Sequence, residues 1–320
     1  MNALPRLSRV AVCGGTHGNE LSGVYLVREL LKVKKKKKKE EEDEDGGAMS
    51  VLLVLSNPRA MQQCLRYIDT DLNRCFTHAC LIGPTLDKTP YEMRRARELN
   101  AMLGPKGSAG AMDLICDLHN TTANMGLSLI TYSDHDWICM HIFRHLQAQH
   151  LLLKNVFFYI YIIENISMEV GPQPHGVVRS NIYTTMKSGV QYMLDWVHFF
   201  NSGVIFDGGF MDVFTVVKHI DYPRDGETHN ITAAIHPQLQ DRDFCLLRPG
   251  DPLFQTFSGE TLRYTGSEPL YPFFINESAY YEKGILFLGS QTNACVCSHT
   301  YLGAQLSVHC RSTKAQSYIC

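Results

Sequence analysis

A histidine and a carboxylate three residues apart, His17 and Glu20, close the segment Gly14-Gly-Thr-His-Gly-Asn-Glu20. On the first turn of a helix that spacing puts both side chains on one face. Imidazole and carboxylate are good zinc ligands, and a catalytic zinc takes three protein ligands and keeps a fourth position open for water. A plainer reading also fits, in which Glu20 is a first-turn acid that complements the helix dipole. The glycines do not make a phosphate loop, because neither G-x-G-x-x-G nor G-x-x-x-x-G-K is present.

His119, in Asp117-Leu-His-Asn-Thr-Thr122, is the second candidate. It follows an apolar strand, and open α/β sheets place ligand sites at the carboxyl ends of their strands. His17 also follows a strand end, so the two can meet, and Asp117 is placed to orient the His119 ring. The alternative is a histidine that merely hydrogen-bonds there. Glu169 lies in the short apolar run Ile166 to Val170, and carboxylates are seldom buried without a purpose. Beside a metal it is placed to act as a general base; away from one it is a salt-bridged structural acid. Arg66 and Arg74 bracket Arg66-Tyr-Ile-Asp-Thr-Asp-Leu-Asn-Arg74. Arginine forks hold carboxylates and stabilise oxyanions, whereas a solvated loop would use them in surface ion pairs.

These residues need strand ends to present them. Arg9–Gly14, Val51–Leu55, Asp113–Leu118, Leu127–Tyr132 and Val156–Ile163 read as strands. Asn19–Leu31, Tyr91–Leu103, His135–Gln149 and Ile182–Phe200 read as helices. Apolar strands alternating with helices imply an α/β fold with a largely parallel sheet covered on both faces. Past Asn201-Ser-Gly the pattern changes to short alternating runs and turns such as Arg248-Pro-Gly-Asp-Pro. The expectation is a catalytic domain over 1–204 and a β-rich domain over 205–320. A charged insertion spans 33–49, where Lys34–Lys39 and Glu40–Asp45 form opposite blocks. The blocks pair as a short solvated helix or stay disordered.

The 320 residues are 45% hydrophobic and 19% charged, which excludes a wholly disordered chain, a collagen and a coiled coil. Val156–Ile163, the longest apolar stretch, falls far short of the ~20 residues of a membrane helix. Peripheral membrane association stays open. A net charge of −2 gives no nucleic-acid footprint. Eleven scattered cysteines and no apolar leader point to a reduced, cytoplasmic setting.

Nine motifs in order resemble the aspartoacylase and aminoacylase 3 family. They are Gly14-Gly-Thr-His-Gly-Asn-Glu20, Arg66-Tyr-Ile-Asp, Asp71-Leu-Asn-Arg74, Pro90-Tyr-Glu, Asp117-Leu-His-Asn-Thr-Thr122, Asn124-Met-Gly, Glu169-Val-Gly-Pro-Gln-Pro174, His236-Pro-Gln-Leu-Gln-Asp241 and Asn276-Glu-Ser-Ala-Tyr-Tyr-Glu-Lys283. Thr122-Ala-Asn-Met-Gly, Gln238-Leu-Gln-Asp-Arg-Asp-Phe244, Phe257-Ser-Gly-Glu and Glu282-Lys-Gly284 look closer to the aminoacylase 3 branch. The resemblance implies a zinc-carboxypeptidase-like α/β/α domain with a β-rich domain over the site. It implies one Zn2+ per subunit on His17, Glu20 and His119, Glu169 as general base and proton shuttle, and Arg66 polarising the scissile carbonyl. It places Asn73, Arg74 and Tyr280 around the substrate, with Arg74 as the carboxylate fork. The implied reaction is hydrolysis of N-acetyl-L-amino acids, with aromatic side chains or S-substituted N-acetylcysteines (mercapturic acids) preferred. The small-molecule substrate is the expected partner, and the family's habit implies a homo-oligomer.

Three departures from the family stand out. Only Glu164-Asn-Ile-Ser-Met separates the strand ending near Ile163 from Glu169, where the family has about a dozen residues more. In aspartoacylase the missing stretch carries a tyrosine and the arginine that grips the aspartate side chain, so aspartate becomes the lesser substrate and Glu164 a rival base. A disabled, zinc-binding paralogue is the other reading. The charged run is the second departure, and a surface insertion of that size costs little in closure entropy. Resemblance ends after Phe287. Cys295, Cys297, His299, His309 and Cys310 in the divergent tail, 288–320, match no strong zinc spacing.

Overall fold

The computed structural model describes residues 6–40, 49–131, 136–149, 153–157, 166–206, 209–297 and 309–311. The elements run β1 (Arg9–Gly14), α1 (Leu21–Glu40), β2 (Ser50–Leu55), α2 (Pro58–Gln63), α3 (His78–Ile82), α4 (Tyr91–Leu103), β3 (Leu114–Asn120), β4 (Gly126–Thr131), α5 (Trp137–Ala148) and β5 (Leu153–Phe157). They continue with β6 (Ile166–Gly171), α6 (Ser180–Asn201), β7 (Gly209–Ile220), β8 (Ala233–Ile235), β9 (Pro252–Thr256), β10 (Thr261–Arg263), β11 (Tyr271–Phe273), β12 (Phe287–Cys297) and β13 (His309–Arg311). The main sheet is ordered β11-β12-β7-β5-β4-β6-β3-β1-β2, with β13 on β12. It is mixed and mostly parallel: β2, β1, β3 and β6 run together, and only β4 opposes β6 within the first two-thirds of the chain. β8, β9 and β10 form a separate antiparallel sheet.

Alternation along the strands sorts residues onto two faces. Val10, Val12, Cys116, Leu118, Ile166, Met168 and Val170 pack under α1, α5 and α6 in one large core. Trp196 of α6 is fully buried there and stacks on Phe200 at 5.3 Å; truncating such a residue to alanine costs about 3–5 kcal/mol. The opposite face holds Ala11, Cys13 and Ile115 against Leu99 of α4. These layers give the α/β/α sandwich expected from the pattern. β7, β12 and β11 extend the same sheet, and β8–β10 build the β-rich remainder.

Three elements differ from the sequence reading. α1 does not stop at Leu31 but carries the lysine run to Glu40. Lysine is a good helix former, and cations near a helix C-terminus complement its dipole. Lys34 also donates to the Val51 carbonyl at 2.7 Å. The acidic block after Glu40 lies outside the described residues. β6 was visible only as an apolar run. Its five-residue register against β3 makes it a central strand. β5 is described only to Phe157, so the rest of the expected strand, and Glu164 with it, lies outside the described residues. His299 of the C-terminal group lies outside them too. No helix among the described residues is long and apolar enough to cross a membrane.

Candidate metal centre and active site

β1 ends at Gly14, and α1 begins only at Leu21. His17 and Glu20 therefore sit in the connecting turn and not on the first helical turn. Their approach survives because the Glu20 amide donates to the His17 carbonyl at 3.2 Å. The glycines of this segment serve packing. Gly15 has φ +75°, and a Cβ on Gly18 would collide with the backbone of Ala60 and Met61. His119 is the penultimate residue of β3, inside the strand and not beyond it.

The turn and the strand bring one ligand atom each from His17, Glu20 and His119 to within 4.8 Å of one another. All three side chains are at least 95% buried. Glu20 lies between the two imidazoles: Oε1 is 2.7 Å from His17 Nδ1, and Oε2 is 3.0 Å from His119 Nδ1. The far nitrogens are held by two other carboxylates, His17 Nε2 by Asp71 at 3.1 Å and His119 Nε2 by Asp117 at 2.9 Å. This is the carboxylate–histidine arrangement that fixes a ring and leaves its second nitrogen for a metal. His17 Nδ1 is buried and makes no hydrogen bond despite its short contact with Glu20. Two imidazoles and one carboxylate, with an unengaged ring nitrogen among them, fit a zinc-type ion with an open fourth position.

Charge is concentrated around this triad. Burial would raise the Glu20 carboxyl, but His17 and His119 hold it well below the usual carboxylate range. Burial opposes a charge on His119, yet Asp117 and Glu20 outweigh it and raise the imidazole well above its ordinary value. Asp71 is likewise held low against its burial by His17, Arg66 and Lys283.

Glu169 stands beside the triad by strand register. β6 pairs with β3 so that Glu169 is opposite His119, on the same face. Its Oε2 is buried with no hydrogen-bond partner. Burial pushes its carboxyl up to about 8, with Glu20 and Glu277 adding to the effect and His119 opposing it.

Arg66 donates to Glu20 Oε1 at 3.2 Å and approaches Asp71 Oδ2 at 3.5 Å. Its segment is fastened from below by Glu92 of α4, which is fully buried. Glu92 accepts from the amides of Ile68, Asp69 and Thr70 at 2.7, 3.0 and 3.1 Å. Asp71 then caps a 3-10 turn, Leu72–Arg74, which carries Asn73 and the exposed Arg74. Tyr280 comes from a second 3-10 helix, Ser278–Lys283, capped by Glu277. Glu277 is buried and binds the Thr121 hydroxyl and the Thr122 amide just beyond His119, so it ties the C-terminal layer to the end of β3.

All eight residues singled out in the sequence, His17, Glu20, Arg66, Asn73, Arg74, His119, Glu169 and Tyr280, line one cavity of about 250 Å³. The orienting role of Asp117 was foreseen. Asp71, Glu92 and Glu277 were quoted within motifs and given no role. Only Asp71 carried a signal, as an acid within the arginine segment; the hydrogen-bond partners of Glu92 and Glu277 come from distant parts of the chain.

A mostly parallel sheet whose strand ends present a buried histidine–carboxylate–histidine triad defines an α/β protein with a site that can hold a metal ion. The succinylglutamate desuccinylase/aspartoacylase catalytic domain matches residues 6–197, and the AstE/AspA barrel-sandwich hybrid domain matches 209–292. The chain belongs to the succinylglutamate desuccinylase/aspartoacylase family. It is 56% identical over 296 residues to N-acyl-aromatic-L-amino acid amidohydrolase (carboxylate-forming) A of Danio rerio, covering 89% of each chain. It is 46% identical to the Homo sapiens protein named N-acyl-aromatic-L-amino acid amidohydrolase (carboxylate-forming), over 89% of this chain and 91% of that one. The crystal structure of murine aminoacylase 3 superposes with a TM-score of 0.85 at 40% identity, covering 93% of this chain and 99% of the other. The branch drawn from the motifs is the one these three relatives carry in their names.

Proposed function

We propose that this chain is a zinc-dependent amidohydrolase that converts N-acetyl-L-amino acids to acetate and the free amino acid. Aromatic side chains and S-substituted cysteines are its preferred substrates. The observation that carries this reading is the buried, unpartnered Oε2 of Glu169, in register with His119 beside the His17–Glu20–His119 triad. The names of the relatives support the substrate class.

His17 Nδ1, Glu20 and His119 Nδ1 would hold the ion, and when bound it would supply Lewis acidity for a water molecule and for the amide carbonyl. Glu169 takes a proton from the attacking water at its free Oε2 and returns it to the amide nitrogen as the C–N bond breaks. One carboxylate serves both steps because the proton is borrowed and returned. An ion held by the triad would favour the charged form of Glu169 against its burial, so that Glu169 can act as a base. Arg66, anchored by Glu20 and Asp71, faces the carbonyl oxygen and stabilises the developing oxyanion. Arg74 and Asn73, at the rim, grip the substrate carboxylate. Tyr280 closes the cavity from the C-terminal side.

The test is initial hydrolysis rates on N-acetyl-tyrosine, S-benzyl-N-acetylcysteine and N-acetyl-aspartate, with and without a zinc chelator. Chelator-sensitive turnover of the first two, with little on the third, supports the reading. Preference for aspartate moves the chain to aspartoacylase activity. No turnover by protein carrying stoichiometric zinc makes it a binding protein.

A further inference from the structure

The cavity at the triad does not end there. His119, Asp117 and Ile115 alternate onto one face of β3, and β6 places Glu169 and Ser167 beside the first two. β4 adds Ile130 opposite Ser167. All of these residues line the same continuous space as the triad. The floor therefore runs along the strands, away from the ligand end. From His119 to Ile115 is four residues, about 13 Å at 3.3 Å per residue.

The floor changes character along that path. Near the triad it is polar, and Asp117 is already engaged by Thr16 and His119. Farther on, Ile115 forms the floor, and Leu99, Leu103 and Met112 form the wall, with Asn100, Lys106 and Asp113 also bordering the space. Ile115 and Leu99 are each at most 9% exposed, yet both border this space. Buried apolar side chains that border a cavity gain contacts when an apolar group fills it.

We infer that this arm receives an extended apolar chain attached to one side of the scissile amide. The favoured substrates are then N-acyl amino acids whose apolar group is longer than a single ring. This rests on the amidohydrolase reading above. The chain is either a long side chain or a long acyl group, and two substrate series separate them. Both are written with the same chemistry: water adds across the C–N bond, the acyl carbon keeps the hydroxyl oxygen, and the nitrogen gains the proton.

The first series is S-methyl-, S-hexyl- and S-decyl-N-acetylcysteine. The second is N-acetyl-, N-hexanoyl- and N-decanoyl-phenylalanine. Initial rates are measured on the zinc-loaded enzyme, and dissociation constants by calorimetry on the zinc-loaded Glu169→Gln protein. Each methylene drawn into the arm is worth about fourfold in affinity or kcat/KM, so one series should gain at least about tenfold with length. Leu103→Trp and Met112→Trp, which fill the far end, should cancel the gain for the decyl or decanoyl compound. They should leave the S-methyl and N-acetyl members unchanged.

A gain confined to the S-alkyl series assigns the arm to the side chain, and a gain confined to the acyl series assigns it to the acyl group. Turnover of the short substrates with no dependence on length in either series, or a gain that both tryptophan variants leave intact, overturns the inference while the activity stands. Tightening of the dissociation constant with length, in a protein that hydrolyses nothing, keeps the arm and removes the activity.

Discussion

The two sides of the cavity are built by different means. On the sheet side, His119 and Glu169 are placed by the ladder between β3 and β6, five residue pairs deep. On the C-terminal side, Tyr280 rides on a six-residue 3-10 helix tied to the end of β3 by side chains, the Glu277 carboxylate on Thr121 and Thr122 and the Thr122 hydroxyl on the Asn276 carbonyl and the Ser278 amide. Backbone pairing distributes its load over many bonds, so single side-chain changes leave the geometry standing. A clamp made by two side chains is weakened by the loss of either. The sheet side should therefore lose chemistry without losing structure, and the C-terminal side should lose both together.

The strongest test of that contrast is Glu169→Gln. It keeps shape and register but removes the base, so kcat should fall by about 10²–10⁴ while zinc content and the unfolding midpoint hold. Initial rates beside metal analysis read this, and a variant with near-normal rates would take the base role from Glu169. Next come Asp71→Asn and Asp117→Asn, which release one imidazole each. Zinc affinity should weaken about 10–100-fold, measured by competition with a chelator. If neither moves it, these carboxylates do not hold the rings for a metal.

Glu277→Gln probes the other side. It weakens the acceptor for the Thr121 hydroxyl and the Thr122 amide, and leaving a buried donor unpaired costs about 1–3 kcal/mol. Urea unfolding should show that loss together with a raised KM. An unchanged KM would mean that Tyr280 is positioned independently of the clamp.

The smallest effect is in pH. In the metal-free protein the Glu169 carboxyl lies near 8 against an ordinary 4.5. A raised acid contributes stability that is present at low pH and is lost as pH rises from about 4.5 through about 8. Thermal melts of metal-free wild type and Glu169→Gln should thus diverge in that window, with the glutamine variant gaining as pH rises. Zinc binding should reverse the shift and, because against its burial Asp117 and Glu20 favour a charged His119 whose proton a metal would displace, release protons as the ion binds. Calorimetry in buffers of different ionisation enthalpy reads the number, and uptake without release would contradict both assignments.

Much of this was legible in the sequence because the information was local. Apolar runs ending at His17 and His119 gave strand ends, and alternation gave the sheet. Tyr91–Leu103 is helical over the expected range. What was not legible depends on which distant residues meet. Nothing near Glu92 in sequence says that it will receive three amides from residues 68–70, and nothing near Glu277 points to Thr121. β6 was read as an apolar run because six residues of mixed type carry no period long enough to separate a strand from a buried turn. The length of α1 was missed because its second half is mostly lysine, where helix propensity acts without any apolar stripe to reveal it.

The ladder between β3 and β6 also bears on how the chain tolerates insertion and loss. Ile166, Met168 and Val170 face the large core, and Ser167 and Glu169 face the cavity. Slipping β6 by one residue would turn all of these over at once and bury the carboxylate under α6. The register is thus protected by three apolar anchors that have nothing to do with catalysis. Whatever the length of the segment that precedes Ile166, the chain re-enters the sheet in one phase. Loop length and the aim of Glu169 are separate variables, and a family member can trim the approach to this strand without moving the residue at its centre.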